Sequence, residues 1–423
     1  MSTKTTAPAI YDARKELGWG KTIVLGLQQT FAMFGATVVV PIITNGYGEG
    51  IEGLSVSVTL FCAGVATLWC HFITKGKVPV FLGSSFAFLG MYASIIPQYG
   101  KEYATGGVVA AGALYVVLAL LIKIFGNKRV MKLFPPVVCG PLIILIGLNL
   151  AGSAVSSASE NWLLAAVAIV LIIVVNIFGK GMIKLVPVLI ALVGAYIVAL
   201  IMGEVDLSGV SSAAIVGLPK FFMPKFNTDC IIGGLAVAVA AMVEHVGDVM
   251  AISMTVGKNL IADPGLTRTL LGDGIGTSLA GLLGGPANTT YSENTGVLAL
   301  TRVFDPLVMR IAAITAIILS LSPKFDAIIS SIPNAVIGGI SFVLYGMISA
   351  TGIRTITENQ IDYVNSRNVI LTAIILISGL GFASSPIVIG GISFGGLACA
   401  AIIGIVLNAI LPGKDYEFKV DEE

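Results

Sequence analysis

Glu244, His245 and Asp248 lie within residues 230–254, a stretch otherwise dominated by Gly, Ala, Val, Ile and Met. Residues four apart share one face of a helix, so Glu244 and Asp248 point the same way, with His245 turned about 100° from Glu244. Another carboxylate, Glu293, directly follows the polar run Thr289-Thr290-Tyr291-Ser292 inside a second apolar segment. Carboxylates so placed accept hydrogen bonds from a polar ligand or relay a proton. Ionisable groups at hydrocarbon depth are costly, and function is the default reason for keeping them. Each also has a structural reading. Glu244 could pair with Asn or Gln to hold helices together, and Glu293 could cap the loose backbone of its own segment. His245 could be a packing partner instead of a proton carrier, and Asp248 could be solvated near a helix end. Asp273 reads as structural, and Lys123 snorkels to an interface.

Composition defines the surroundings of these groups. A chain of 423 residues would ordinarily make two or three soluble domains. Here only 11% of residues are charged, against about 25% in soluble proteins, and 56% are hydrophobic. The mean hydropathy is +0.97, and a soluble body of 43.7 kDa has too much surface for so few charges to cover. The chain is therefore expected to live in a lipid bilayer. Its net charge of +1 gives no reason to expect a nucleic-acid partner. Cys62, Cys70, Cys139, Cys230 and Cys399 lack metal-site or redox spacing and read as small buried hydrophobes. Two histidines are too few for a histidine metal centre, and no cofactor is expected.

Crossing the hydrocarbon takes about 20 residues. Clear apolar segments run near 22–44, 54–74, 107–126, 136–154, 162–179, 183–202, 230–254, 306–323, 334–353, 368–385 and 390–411, with a shorter one near 269–284. Two interrupted candidates lie near 82–99 and 288–302, which makes fourteen spans. The first twenty residues hold Lys4, Asp12, Arg14, Lys15 and Glu16 without a small-residue cleavage site, so the first span is expected to be retained. With the N-terminus in the cytoplasm and strict alternation, only Lys101, Lys220, Lys225 and Lys324 of the 24 basic residues fall outside. That bias satisfies the positive-inside rule and predicts a multi-pass protein of the cell (inner) membrane with both termini cytoplasmic.

Fourteen spans divide into two inverted seven-span repeats, residues 22–202 and 230–411. The flanking parts are a cytoplasmic segment 1–21, an extracellular connection 203–229 and a cytoplasmic tail 412–423. Gly83-Ser84-Ser85-Phe86 interrupts span three and Thr289-Thr290-Tyr291-Ser292 interrupts span ten, each about 60 residues into its half. Matched broken segments in two halves point to the substrate site of a secondary transporter. Where a helix stops at membrane depth its amides must bond to protein, water or ligand. Close helix packing by Gly and Ser is the competing explanation.

The run Glu293-Asn294-Thr295-Gly296, followed by Thr301-Arg302, resembles the signature of the nucleobase–ascorbate transporter family. LQQTFAMFGATVVVP in span one, KGKVPVFLGSSFAF leading into span three and EHVGD in span eight match as well, in the family's order. The resemblance extends over about residues 20–412 and is strongest to the family's uracil-carrying bacterial branch. It implies an all-α polytopic membrane protein of fourteen transmembrane segments with short extended segments facing each other in spans three and ten. Spans one to four and eight to eleven would form a core domain, and five to seven and twelve to fourteen a gate domain. It implies substrate contacts by Glu244 and Glu293, by the backbone amides of Phe86 and Ser292, by Tyr291 beside them, and by Tyr345 from the gate. It also implies a homodimer.

Uracil presents two N–H donors and two carbonyl acceptors, which suit carboxylates and free backbone amides. Phe86 can cover a ring face. Glutamate at position 293 favours a pyrimidine over xanthine, for which relatives tend to carry glutamine. Two positions depart from the family: Gln29 and Asp248 stand where uracil-carrying relatives usually have histidine. Gln29 is expected to hydrogen-bond Glu244 but cannot titrate. The coupling proton then falls to Glu244, with Gln29, Asp248 and His245 around it; the alternative is a sodium ion held by Asp248 with Glu244. The expected cycle is alternating access, in which core and gate slide on glycine surfaces such as Gly338-Gly339 and Gly390-Gly391, with ordinary helix packing as the other reading. An anion exchanger would want Lys or Arg at the site, a channel a continuous polar lining, and an enzyme a nucleophile or metal constellation; the sequence offers none of these.

Overall fold

The structure, a computed structural model, describes residues 9–47, 51–126, 129, 132, 135–181, 183–389 and 392–413. Gly390-Gly391, Lys4, Lys128, Lys414, Lys419 and most of the tail 412–423 lie outside the described residues. In chain order the main elements are α1 (Ala13–Asn45), α2 (Val56–Ile73), β1 (Leu82–Ser84), α3 (Leu89–Tyr99), α4 (Lys101–Phe125), α5 (Pro136–Asn149), α6 (Ala151–Ser159), α7 (Trp162–Phe178) and α8 (Pro187–Met202). After a short α9 (Ser208–Ser212) come α10 (Thr228–Val256), α11 (Leu266–Leu282), β2 (Asn288–Thr290), α12 (Ser292–Thr301), α13 (Pro306–Ser320), α14 (Pro323–Ser330), α15 (Asn334–Glu358) and α16 (Ser366–Ser384). The hairpin β3 (Ile387–Ile389) and β4 (Ile392–Phe394) then leads into α17 (Gly396–Ile410).

Local chemistry sets the ends of these helices. The Asn161, Asn227 and Asp305 side chains accept hydrogen bonds from the first-turn amides of α7, α10 and α13. Proline occupies the first turn of α5, α8, α13 and α14, where its missing N–H costs nothing. Gly18 is non-helical, so the long α1 has a break just after its start.

Among the described residues seven helices are long and apolar enough to cross a membrane, counting α5 with α6 as one span. An eighth span forms if α13 and α14, bent by 87°, are taken together, and α7, α8 and α17 are shorter apolar helices. The half-helices after β1 and β2, with α11, supply counterparts for the remaining predicted segments. Large apolar side chains face outward on many of these helices, among them Ile201 (81% exposed), Ile377 (73%) and Phe178 (71%). Such a surface is at home in hydrocarbon, and the molecule is a multi-pass membrane protein.

Helix partners repeat between the halves. α2 packs on α13 as α11 packs on α4, and α1 packs on α13 as α10 packs on α4. α16 contacts α5 and α17 as α7 contacts α15 and α8, while α5 and α15 pair with each other. These neighbours make two bodies. The core holds α1, α2, α3, α4, α10, α11, α12 and α13, and the gate holds α5 to α8 and α15 to α17. Gly338 and Gly339 do not lie where the bodies meet. A Cβ on Gly338 would stand 2.3 Å from the Ala158 amide nitrogen, and one on Gly339 2.4 Å from the Ala165 carbonyl, both inside the gate. Packing between gate helices, not sliding, is what these glycines permit.

Candidate functional site

β1 and β2 pair antiparallel at the centre of the core, with Leu82 opposite Thr290, Gly83 opposite Thr289 and Ser84 opposite Asn288. The interrupted segments of the two halves therefore meet. Two further bonds extend the ladder, Ser85 N–H to the Ala287 carbonyl (2.8 Å) and Tyr291 N–H to the Phe81 carbonyl (3.0 Å). Each strand hangs from a threonine of the preceding helix. Thr67 Oγ1 accepts from the Leu82 amide (2.9 Å) and donates to the Leu82 carbonyl (3.3 Å). Thr277 Oγ1 does the same for Asn288, at 3.3 and 3.4 Å.

Beyond the strands the chain turns into helix in both halves, through a single 3₁₀ turn at Phe86–Phe88 and directly at Ser292. Neither the Ser85 nor the Tyr291 side chain caps its helix. The first amides of both half-helices are thus uncapped by these side chains, with the positive ends of the helix dipoles behind them.

A cavity of about 280 Å³ opens beside this junction, between core and gate. On the core side it is lined by Phe86 and Ala87, by Thr289 to Glu293, and by Glu244, Gly247 and Asp248 of α10. Ile143 and Ile146 of α5 with Leu344, Met347 and Ile348 of α15 make an apolar gate wall. Arg354 and Glu358 also line the cavity, at the C-terminal end of α15, bonded to each other at 2.7 Å. Glu244, Asp248 and Glu293 are half-buried and Ser292 is exposed to the cavity. Asp248 Oδ2 and the Thr289 and Thr290 hydroxyls are buried without a partner. A polar wall of carboxylates, hydroxyls and half-helix ends thus faces an apolar wall, which suits a small flat molecule with polar edges. Among the described residues no cluster of three or more His, Cys, Asp or Glu side chains could hold a metal ion.

Six of the predicted residues share this cavity: Glu244, Asp248, Glu293, Phe86, Ser292 and Tyr291. Three do not line it. Gln29 is buried and, instead of bonding Glu244, accepts from Asn294 Nδ2 with its side-chain oxygen (2.8 Å) and its carbonyl (3.0 Å). The cause is position: Asn294 is one residue past Glu293, on the face of α12 that packs on α1. His245 turns away from the cavity and bonds Asp273 Oδ2 through Nδ1 at 2.9 Å. Tyr345 is buried (3% exposed) and does not line the cavity, although its neighbour Leu344 does. Sequence reasoning missed the gate wall and the two suspending threonines. The signal for the threonines is weak: hydroxyls precede each broken segment, but Thr74 follows Thr67 and Ser278 follows Thr277, so the sequence does not single out the suspending ones.

A family profile, Xan_ur_permease of the Permease family, matches residues 20–388. A uracil permease of Bacillus subtilis is 41% identical, with 99% of this chain and 98% of that protein aligned. One of Bacillus caldolyticus is 40% identical over 93% of each, and one of Escherichia coli K12 37% identical over 92% of this chain and 91% of that protein. Among solved structures, the transmembrane domain of the cyanobacterial bicarbonate transporter BicA aligns with a TM-score of 0.62 at 15% identity, over 95% of this chain and 99% of that one. SLC26A9 aligns with a TM-score of 0.64 at 11% identity, over 94% of this chain and 66% of that one. At such identities these two structures share the fold with this chain.

Proposed function

Because the chain belongs to the nucleobase–ascorbate transporter family, we propose that it is a secondary active transporter that imports uracil by proton symport through alternating access. The observation that carries this reading is that Glu244 and Glu293 line one cavity together with both unwound segments, between two separately packed bodies. The two carboxylates accept from the ring N–H groups, the amides at Phe86 and Ser292 donate to the carbonyls, and Phe86 covers a ring face. Tyr291 frames the site from the strand junction, and Tyr345 stands next to Leu344 of the gate wall.

The coupling proton sits on Glu244, with Asp248 one turn along the same helix; Gln29 and His245 act from behind the cavity wall. When uracil and a proton have neutralised this cluster, the core moves against the gate and the site changes sides. The positive-inside bias assigns the Arg354–Glu358 end of the cavity to the cytoplasm. In this reading residues 22–202 and 230–411 are inverted repeats joined by the extracellular connection 203–229, with both termini on the cytoplasmic side of the inner membrane and two chains forming a homodimer.

Proteoliposomes decide the reading. Uracil uptake driven by an imposed pH gradient without sodium is the expected result, and uptake driven by sodium alone rejects proton coupling. Glu244→Ala and Glu293→Ala are each expected to abolish uracil binding to purified protein. Unchanged binding in both variants removes these residues from the site.

A further inference from the structure

Behind the cavity wall lies a polar cluster whose geometry the transport cycle does not by itself explain. His245 and Asp273 are 2% and 0% exposed and are joined by Nδ1 and Oδ2 at 2.9 Å. The Tyr115 ring of α4 meets the imidazole edge-on, with 6.4 Å between centroids. His245 Nε2, Asp273 Oδ1 and the Tyr115 hydroxyl are all buried without a partner. Each orphaned atom opposes folding, and an apolar trio of the same shape would be cheaper. Buried groups of this kind call for a reason other than stability.

We propose that the His245–Asp273 pair is a positioning site that fixes the rotation of α10 and thereby aims Glu244 and Asp248 into the cavity. The inference rests on the uracil reading of that cavity. Glu244 and His245 are consecutive, so a bond that pins His245 to α11 sets the direction of Glu244, about 100° around the helix. A pin is needed here. Gly247 of α10 faces the cavity with nothing within 4 Å of an added Cβ, so the cavity side offers α10 no steric stop at that point. The pair also suits a fixed role. Both partners are sealed from the cavity and their bond is directional, so it holds the helix in one rotation as the site loads and empties. Cys70 packs against α11 at Gly272, so the titratable groups around the pair are Cys70, Tyr115, Glu244 and Asp248.

The test compares wild type, His245→Gln, Asp273→Asn and the double variant His245→Leu/Asp273→Leu in proteoliposomes. Removing both partners together avoids a stranded charge. The double variant is expected to raise the KM for uracil about tenfold with Vmax within about twofold and the pH profile unmoved, because misaimed groups lose binding geometry. His245→Gln, which keeps a donor for Asp273, is expected to stay within about twofold of wild type. A wild-type KM in the double variant reduces the pair to structure, and a moved pH profile puts it on the proton route; either overturns the proposal. Should the double variant not fold, Asp273→Asn carries the comparison, with a KM rise of about threefold expected from the weakened bond and a wild-type KM overturning it. A readout independent of uracil separates this inference from the functional reading. A Gly247→Cys reporter, in a chain whose native cysteines are all buried, is labelled by a water-soluble maleimide with and without the pair. A severalfold change in labelling rate is expected, and an unchanged rate refutes the positioning role even if uracil proves to be the wrong substrate.

Discussion

The Tyr291 hydroxyl donates to the backbone carbonyl of Ser84 at 2.9 Å, tying one broken span to the other. It also lies 3.2 Å from Ser84 Oγ, which donates to the Thr37 carbonyl of α1 at 2.9 Å. The ring reaches this place by crossing Gly83, where an added Cβ would stand 2.3 Å from Tyr291 Cζ. A missing side chain at 83 and a para-hydroxyl at 291 are therefore one specification, written in two halves of the sequence.

Gly83→Ala is expected to push the Tyr291 ring off the strand pair and destabilise the protein by about 1–3 kcal/mol, the usual cost of overpacking. Tyr291→Phe loses only the hydroxyl bonds and should cost about 1 kcal/mol. Thermal unfolding in detergent measures both, and uracil titration should show the larger loss of affinity in Gly83→Ala. Gly83→Ala/Tyr291→Ala should cost less than the sum of its two single variants, because the clash goes with the ring. A Gly83→Ala protein that melts and binds like wild type would contradict the coupling.

Glu244→Gln and Glu293→Gln test charge apart from shape. A hydrogen bond to an ionised group is worth about 1.5–3 kcal/mol, so each amide variant should bind uracil roughly 10- to 150-fold more weakly. Only Glu244→Gln should also lose acceleration of uptake by an inward pH gradient. If Glu293→Gln alone loses that response, the proton has been assigned to the wrong carboxylate.

Thr67 and Thr277 suspend the two strands in the same way, and the halves should respond alike. Thr67→Val and Thr277→Val each leave a buried strand amide without its acceptor, at a cost of about 1–3 kcal/mol. Comparable drops in melting temperature are expected, each with weakened uracil binding. A large effect in one half and none in the other would show that the two suspensions are not equivalent.

The carboxylates and the broken segments could be read from the sequence because each violates a strong rule. A charge in an apolar run and a polar break at hydrocarbon depth have few harmless explanations. The direction of a buried helical side chain follows no such rule. α10, α11 and α12 are covered on several sides by other helices, so their composition does not mark which face meets which neighbour. His245 could not be assigned to Asp273 over the cavity, nor Gln29 to Asn294 over Glu244, without the packing of four separate helices. Gly338-Gly339 stayed open between sliding and packing for the same reason, since close approach is visible in sequence but the identity of the approaching helix is not. Tyr345 sits one residue from a cavity-lining position, and one residue is enough to turn it away.

Residues 10–13 are bound to the core, and Asp305 makes the bond measurable. The Ile10 amide donates to the Arg302 carbonyl (2.9 Å), the Phe304 amide to the Ile10 carbonyl (2.7 Å), and the Tyr11 hydroxyl to the Val256 carbonyl (2.7 Å). The Lys258 ammonium lies 4.1 Å from the Tyr11 ring centroid. Asp305 joins this strap to the helix it caps, since one carboxylate oxygen accepts from the Leu307 amide and the other from the Ala13 amide, both at 2.8 Å. Asp305→Ala should lose about 1 kcal/mol from the cap alone and leave the buried Ala13 amide unpaired. Arg14 and Lys15 are exposed just beyond it, so loosening the strap should speed trypsin cleavage there several-fold. Asp305→Asn, which keeps one acceptor oxygen, should fall between the two. Limited proteolysis followed by mass spectrometry checks the order, and equal cleavage rates in all three proteins would mean that Asp305 does not hold the segment.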